Sequence, residues 1–70
     1  MEPIFRRVVK QIKYGVHTLT IFKVVSNEEK YEEKYEGEYI VDDGFDTINF
    51  YGEGSSIDEA IMSTIASIIP

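Results

Sequence analysis

The chain contains one histidine, His17, and no cysteine, so few of its side chains suit nucleophilic or metal chemistry. A catalytic histidine needs a nearby nucleophile or an orienting acid, and a zinc site needs several nitrogen or sulfur ligands. Neither set accompanies His17, which lies inside a strand-like segment. We therefore interpret it as an ordinary strand residue and expect no enzymatic activity, no resident metal and no cofactor.

Three aspartates around Gly44 resemble a calcium-binding loop in composition but not in spacing. A calcium loop distributes its oxygen ligands over about twelve residues and ends in a glutamate, and Asp42, Asp43 and Asp46 do not fit that pattern. An Asp-Gly pair between two strand-like segments is instead typical of a type I′ hairpin turn, whose two central residues have positive φ. We therefore predict a hairpin turn at Asp43-Gly44.

Charge is distributed unevenly along the chain. Residues 1–25 hold five bases and one acid, whereas residues 26–70 hold two bases and twelve acids, which together give the net charge of −6. The bases near the N-terminus could contact nucleic-acid phosphates. No recognition helix or base-stacking motif accompanies them, so nucleic-acid binding is the alternative hypothesis rather than the main one. The candidate residues for this alternative are Arg6, Arg7, Lys10 and Lys13.

The acidic part of the chain is also rich in tyrosine, a combination that favours an interaction surface. Tyrosine supplies a large and rigid contact area with a polar tip, and carboxylates attract the lysines and arginines of a partner. We therefore predict a small acidic interaction protein, a regulator or inhibitor, that binds a basic surface of a partner macromolecule. The predicted partner-binding residues are Glu28, Glu29, Tyr31, Glu32, Glu33, Tyr35, Glu36, Glu38 and Tyr39.

The segments that carry these side chains are mostly strand-like. Alternating β-branched residues predict two strands over residues 5–13 and 16–25, joined by a turn that contains Gly15. A third strand is predicted over residues 35–42 and a fourth over residues 45–51. In the first strand, simple alternation places Val8, Lys10 and Ile12 on one face.

The tandem repeat of Glu-Glu-Lys-Tyr over residues 28–35 fits two structures equally well. Tyrosines four residues apart share one face of a strand and lie near one stripe of a helix. We predict that residues 26–34 form the tip of a long hairpin. The alternative is a helix over residues 27–36, which changes the element order to ββαββα.

The C-terminal segment is predicted to be a helix that begins after Ser56, because Ser56 and Glu59 form the capping-box pattern. The isoleucines between residues 57 and 69, together with Met62, form a wide apolar arc that we expect to cover the sheet. No charged residue follows Glu59, so the opposite side is small and uncharged. We predict self-association through that side, at Ala60, Ser63, Ala66 and Ser67.

These elements together predict one α+β domain over residues 1–70, a four-stranded antiparallel β-meander with a C-terminal helix packed on a face, in the order ββββα. A chain this short buries only about 60% of its unfolded surface and has no disulfides, so we expect a homodimer. Its first residues lack the apolar core of a secretory signal, and it contains no run of about 20 apolar residues. We therefore expect a cytoplasmic protein that does not associate with membranes.

Overall fold

The computed structural model describes residues 4–26 and 33–69 of the chain. These residues form a four-stranded antiparallel sheet followed by one helix, which confirms the predicted ββββα order. Within these ranges, no helix is long and apolar enough to cross a membrane. In chain order, which is also their order in the sheet, the strands are β1 (Ile4–Tyr14), β2 (His17–Ser26), β3 (Lys34–Asp42) and β4 (Thr47–Gly54), and the helix α1 comprises Ile57–Ile68.

The alternative with a helix over residues 27–36 is wrong for the part of that range that the structure describes. Lys34, Tyr35 and Glu36 belong to β3 and pair with β2. Residues 27–32, which include most of the predicted hairpin tip, lie outside the described residues.

The β1–β2 and β3–β4 turns lie at the same end of the sheet. Gly15 and Gly44 have φ values of 61° and 90°, in the left-handed region that glycine adopts without a steric cost. The expectation of a type I′ turn at Asp43-Gly44 is wrong, because no residue other than glycine has positive φ in the described part of the chain. Asp43 instead organises a four-residue loop, accepting hydrogen bonds at 2.8 Å from the N–H groups of Phe45 and Asp46.

A β-bulge in β1 changes which of its side chains share a face. Val8 pairs with Phe22, and Lys10 pairs with Ile21, the residue next to Phe22 in β2. Val9 therefore has no partner of its own and is an extra residue in the β1 strand. Successive residues of β2 point to opposite faces, which places Val8 on one face and Lys10 with Ile12 on the other. The prediction that these three residues share a face is therefore wrong, because alternation along one strand does not reveal a bulge.

The helix covers one face of the sheet, which we call the helix face, and leaves the other, the open face, uncovered. Helix α1 contacts β4 most extensively, β3 less, β2 marginally and, among the described residues, β1 not at all. The fully buried side chains in this part of the chain are Ile21 of β2 with Ala60 and Thr64 of α1. The core is therefore small and lies off-centre, beneath α1.

Helix α1 approaches the sheet closely because glycines of β3 and β4 form the floor beneath it. A Cβ atom added to Gly52 would lie 2.5 Å from the carbonyl carbon of Ser63 and 2.7 Å from Cα of Thr64. A Cβ atom at Gly37 would lie 3.1 Å from the carbonyl oxygen of Ala60. The stripe of α1 that contacts this glycine floor consists of small side chains.

The predicted orientation of α1 is therefore wrong. The apolar arc was expected to cover the sheet, but Met62, Ile65 and Ile69 are 69%, 45% and 66% exposed. The glycine floor gives the physical reason, since small side chains allow a close backbone contact there and branched ones would hold the helix away. The other isoleucines of the helix, at positions 57, 61 and 68, are half-buried along the flank of the contact.

The four predicted self-association residues accordingly have different environments. Ala60 is buried against the sheet, and Ser63 accepts a hydrogen bond at 3.1 Å from the backbone N–H of Glu53 in β4. Ala66 and Ser67 are exposed. The small side chains expected on the outside of the helix therefore include those that hold it to its own sheet.

The predicted start of the helix is confirmed. Ser56 is the N-cap residue, and its hydroxyl accepts a hydrogen bond from the backbone N–H of Glu59 at 3.1 Å. The carboxylate of Glu59 reaches back to Ser55 rather than to Ser56, and accepts hydrogen bonds from the backbone N–H at 2.8 Å and the hydroxyl at 2.6 Å. The two side chains thereby accept hydrogen bonds from the N–H of Ser55, just before the helix, and from the N–H of Glu59, within its first turn.

Candidate functional site

The predicted partner-binding residues do not form one continuous surface. Where the structure describes them, the tyrosines and glutamates of β3 point to opposite faces, because they alternate along a strand. Tyr35 and Tyr39 lie on the helix face, whereas Glu36 and Glu38 lie on the open face. Glu33 precedes β3 and is exposed. The other four predicted residues, Glu28, Glu29, Tyr31 and Glu32, lie outside the described part of the chain.

The tyrosines of β3 are integrated into the helix face. Tyr39 packs against Phe50 with ring centroids 6.1 Å apart. The Lys23 ammonium lies 6.0 Å from the centroid of the Tyr35 ring and 3.7 Å from a carboxylate oxygen of Glu33. Both tyrosines are half-buried. Their contacts link neighbouring strands and leave only part of each ring available to a partner.

His17, the single histidine, also lies on the helix face. Its Nδ1 atom is 2.5 Å from the hydroxyl oxygen of Tyr39, and the two rings are 5.8 Å apart. His17 is exposed and Tyr39 is half-buried. Among the described residues, no group of three or more histidine, cysteine or acidic side chains could hold a metal ion. The geometry of His17 is that of a cross-strand hydrogen bond.

Three carboxylates of β3 form a row along the open face, which we call the acidic row: Glu36, Glu38 and Asp42. Alternate strand residues are about 7 Å apart, so the row extends over about 20 Å. Glu36 lies 3.9 Å from the Arg6 guanidinium in a long, exposed contact. Glu38 and Asp42 have no ion pair among the residues that the structure describes.

A shallow hollow of about 480 Å³ lies on the open face beside the acidic row. Its lining includes apolar side chains from three strands, namely Val8, Phe22 and Ile40, together with the carboxylates Glu38 and Asp42. The rest of the lining includes the polar side chains Gln11, Thr18 and Thr20 and the cation Lys13. Apolar side chains beside carboxylates can accept the aliphatic part and the charged end of a long basic side chain. The hollow therefore extends the acidic row into an amphipathic surface.

The loop that follows the acidic row carries an exposed aromatic residue. Phe45, in the β3–β4 loop, is 93% exposed and lies between Asp43 and Asp46. The backbone N–H groups of Asp46 and Phe45 donate hydrogen bonds to the Asp43 carboxylate. These bonds lower the pKa of Asp43 below its ordinary value, and the bond from Asp46 has the larger effect. A large aromatic side chain projecting between carboxylates can enter an apolar pocket with a basic rim on a partner.

The four bases proposed for nucleic-acid binding do not form one strip. The bulge places Arg6 and Lys13 on the open face and Arg7 and Lys10 on the helix face. The Arg6 guanidinium also lies 5.8 Å from the centroid of the Phe22 ring, close to the acidic row. These four cations are therefore divided between two surfaces.

Helix α1 leaves half of the helix face uncovered, which the hydrophobic arc of the helix did not predict. Four large hydrophobic residues in this uncovered half are exposed: Phe5, Ile12 and Tyr14 of β1, and Val25 of β2. Ile65 of α1 is also partly exposed. The sequence did indicate that part of the sheet would be uncovered, since a single helix of 12 residues cannot cover four strands. The bulge that places Ile12 on this face could not be recognised from the sequence of β1 alone.

Comparison with protein-family models, curated proteins and solved structures finds no match to this chain. Its function must therefore be inferred from the chemistry of the open face and of the uncovered half of the helix face.

Proposed function

We propose that this chain is a small non-catalytic interaction protein, a regulator or inhibitor, that binds a basic segment of a partner macromolecule on its open face. The observation that carries the proposal is the acidic row beside an uncovered amphipathic hollow. Two of its three carboxylates, Glu36 and Glu38, belong to the segment that the sequence indicated. The third, Asp42, extends the row to the β3–β4 loop.

The spacing of the acidic row suits a partner segment in extended conformation. Alternate side chains of an extended chain are about 7 Å apart, which equals the spacing of alternate residues along β3. A lysine or arginine opposite Glu38 can pack its aliphatic stem on Phe22 and Ile40 while its charged end reaches the carboxylate. The row and the hollow then recognise different parts of the same side chain.

Phe45 adds an apolar anchor at the end of this surface. Exposed aromatic residues contribute strongly to binding when a partner pocket buries them. The flanking Asp43 and Asp46 carboxylates favour a pocket whose rim is basic. The complete surface therefore selects a partner that combines clustered cations with apolar contacts.

The proposal is tested with peptides about ten residues long of alternating lysine and alanine, or of alternating glutamate and alanine as the opposite-charge probe. Fluorescence anisotropy with the full chain is expected to show binding of the lysine peptide that weakens as salt increases. The Glu38→Gln substitution is expected to weaken binding about two- to five-fold, as for loss of one exposed ion pair.

The matched control is Ser67→Lys, which changes the net charge by the same amount at an exposed position of α1 away from Met62, Ile65 and Ile69. If Ser67→Lys weakens binding as much as Glu38→Gln, only net charge matters and the proposed site is wrong. Retention of a duplex DNA oligonucleotide at moderate salt, lost on Arg7→Ala with Lys10→Ala, would select the nucleic-acid alternative instead.

A further inference from the structure

We propose that a second copy of this chain covers the uncovered half of the helix face. In the resulting dimer, α1 of each copy lies between the two sheets. Its small-residue stripe, Ala60, Ser63 and Thr64, contacts its own β3 and β4. Its outer stripe, which consists of Met62, Ile65 and Ile69, contacts β1 and β2 of the other copy. This contact uses a surface separate from the open face and does not depend on the proposed function.

The widths of the sheet and of α1 leave room for one further helix on the helix face. Strands lie about 4.8 Å apart, and a helix with its side chains is about 10 Å in diameter, so one helix covers about two strands. Helix α1 lies over β3 and β4, as its contacts show. The part of the helix face formed by β1 and β2 can therefore accommodate one further helix. The segment from Phe5 to Ile12 spans about 23 Å, and α1 of the second copy, at about 18 Å, fits within it.

The outer stripe of α1 has the chemistry that this floor requires. Met62, Ile65 and Ile69 are exposed on the side of the helix away from its own sheet. The uncovered half of the helix face presents the apolar residues Phe5 and Ile12. Because no charged residue follows Glu59, the outer stripe itself brings no charged side chain into the contact, and the charges in the contact are those of Arg7, Lys10 and Lys23 on the sheet.

Charge complementarity favours a second copy as the occupant. Asp58, in the first turn of α1, is exposed, and the last turn of the helix has no basic residue to offset the negative end of its dipole. The uncovered half of the sheet supplies Arg7, Lys10 and Lys23 on the same side as its apolar residues. The negative charge of this helix in one copy is therefore complementary to the cations on the sheet of the other.

The same cations disfavour the competing dimer in which two β1 strands pair edge to edge. Antiparallel pairing of β1 with itself would place basic residues of one copy opposite those of the other, which is destabilising. In the proposed dimer each copy both donates its helix and receives one, so a twofold axis closes the assembly.

Sedimentation equilibrium of the full chain, from about 5 to about 500 µM, is expected to show a species of twice 8.1 kDa. The substitutions Ile12→Glu and Ile65→Glu are each expected to give monomers that keep the far-ultraviolet circular dichroism of the native chain. The matched control is Val8→Glu, because Val8 is 52% exposed on the open face of the same strand and Ile12 is 50% exposed on the helix face.

Cross-linking identifies the interface directly, because the chain contains no native cysteine. A mixture of Ile12→Cys and Met62→Cys chains is expected to form a mixed disulfide on mild oxidation, whereas Val8→Cys with Met62→Cys is not. A monomer throughout the concentration range would overturn the proposal and leave this surface to another protein. Dissociation by Val8→Glu, or cross-linking through Val8→Cys, would overturn it as well.

Discussion

Glu59 and Asp43 are the two carboxylates that the local hydrogen bonds hold most firmly in the ionised form. The Ser55 hydroxyl, and then its backbone N–H, lower the pKa of Glu59 below its ordinary value of 4.5. For Asp43 the donors are the backbone N–H groups of Asp46 and Phe45, and the ordinary value is 3.8. Each carboxylate organises one connection, Glu59 before the helix and Asp43 after β3.

These lowered pKa values predict how stability depends on pH. A group whose pKa is lower in the folded chain stabilises it fully above the ordinary pKa and loses that effect as pH falls through the folded value. The melting temperature is therefore expected to be steady above about pH 5 and to fall below about pH 4. In Glu59→Gln, the acid decrease should be shallower because this titration is absent.

Thermal unfolding followed by circular dichroism between about pH 2 and 7 checks this expectation. The control is Glu38→Gln, which removes a carboxylate but leaves both sets of local hydrogen bonds in place. Equal acid slopes for the native chain and Glu59→Gln would contradict the assigned role of Glu59.

Residue types in the acidic segment were informative about charge but not about placement. A repeat of four residues fits both a helix and one face of a strand, so the sequence did not fix the direction of each side chain. Once β3 is known to pair with β2, the separation of Tyr35 and Tyr39 from Glu36 and Glu38 follows from alternation alone. The bulge at Val9 is a different case, because the pairing that defines it involves a second strand.

The helix shows which features of an element are local and which are not. Its start was predictable because the Ser56 cap is encoded within four residues. Its orientation was not, because the hydrophobic arc assumes that the largest apolar side chains face the sheet. Here Gly37 and Gly52 are adjacent across β3 and β4, and this pairing becomes visible only with the register.

The orientation of α1 predicts opposite outcomes for the same substitution at two alanines. Ala60 is fully buried against the sheet, so Ala60→Leu should overpack the contact and lower the free energy of unfolding by about 1–3 kcal/mol. Ala66 is exposed in the single chain, and Ala66→Leu should change it by no more than about 0.5 kcal/mol when both variants are made in the monomeric Ile12→Glu background.

Urea unfolding of the two variants measures both values. The helix propensities of alanine and leucine are close, so a difference between the sites reports packing rather than helix formation. If Ala60→Leu is tolerated and Ala66→Leu is destabilising, the helix faces the sheet with its other side.

The whole molecule is a two-layer domain in which the second layer covers only part of the first. The contacts of α1 decrease from β4 to β2 and are absent at β1 within the described ranges, while the open face is free along all four strands. One chain therefore offers two separate surfaces, a basic and apolar half of the helix face and an open face that carries the acidic row. We assign the first to a second copy and the second to a partner.

This division predicts that thermal stability depends on protein concentration. Self-association stabilises the folded chain by mass action, so a hundredfold rise in concentration should raise the melting temperature by about 6 °C. The Ile12→Glu variant should show no such rise. Differential scanning calorimetry at several concentrations measures both, and a native melting temperature that is independent of concentration would contradict the dimer.

The glycine floor beneath α1 also affects how stability varies with temperature. A contact between glycine backbone and alanine or threonine buries little apolar area, and apolar area exposed on unfolding is the main source of the heat-capacity increase. A single chain should therefore have a small heat capacity of unfolding and a shallow stability curve. Further curvature should arise when Met62, Ile65 and Ile69 on the outer stripe are buried between two copies.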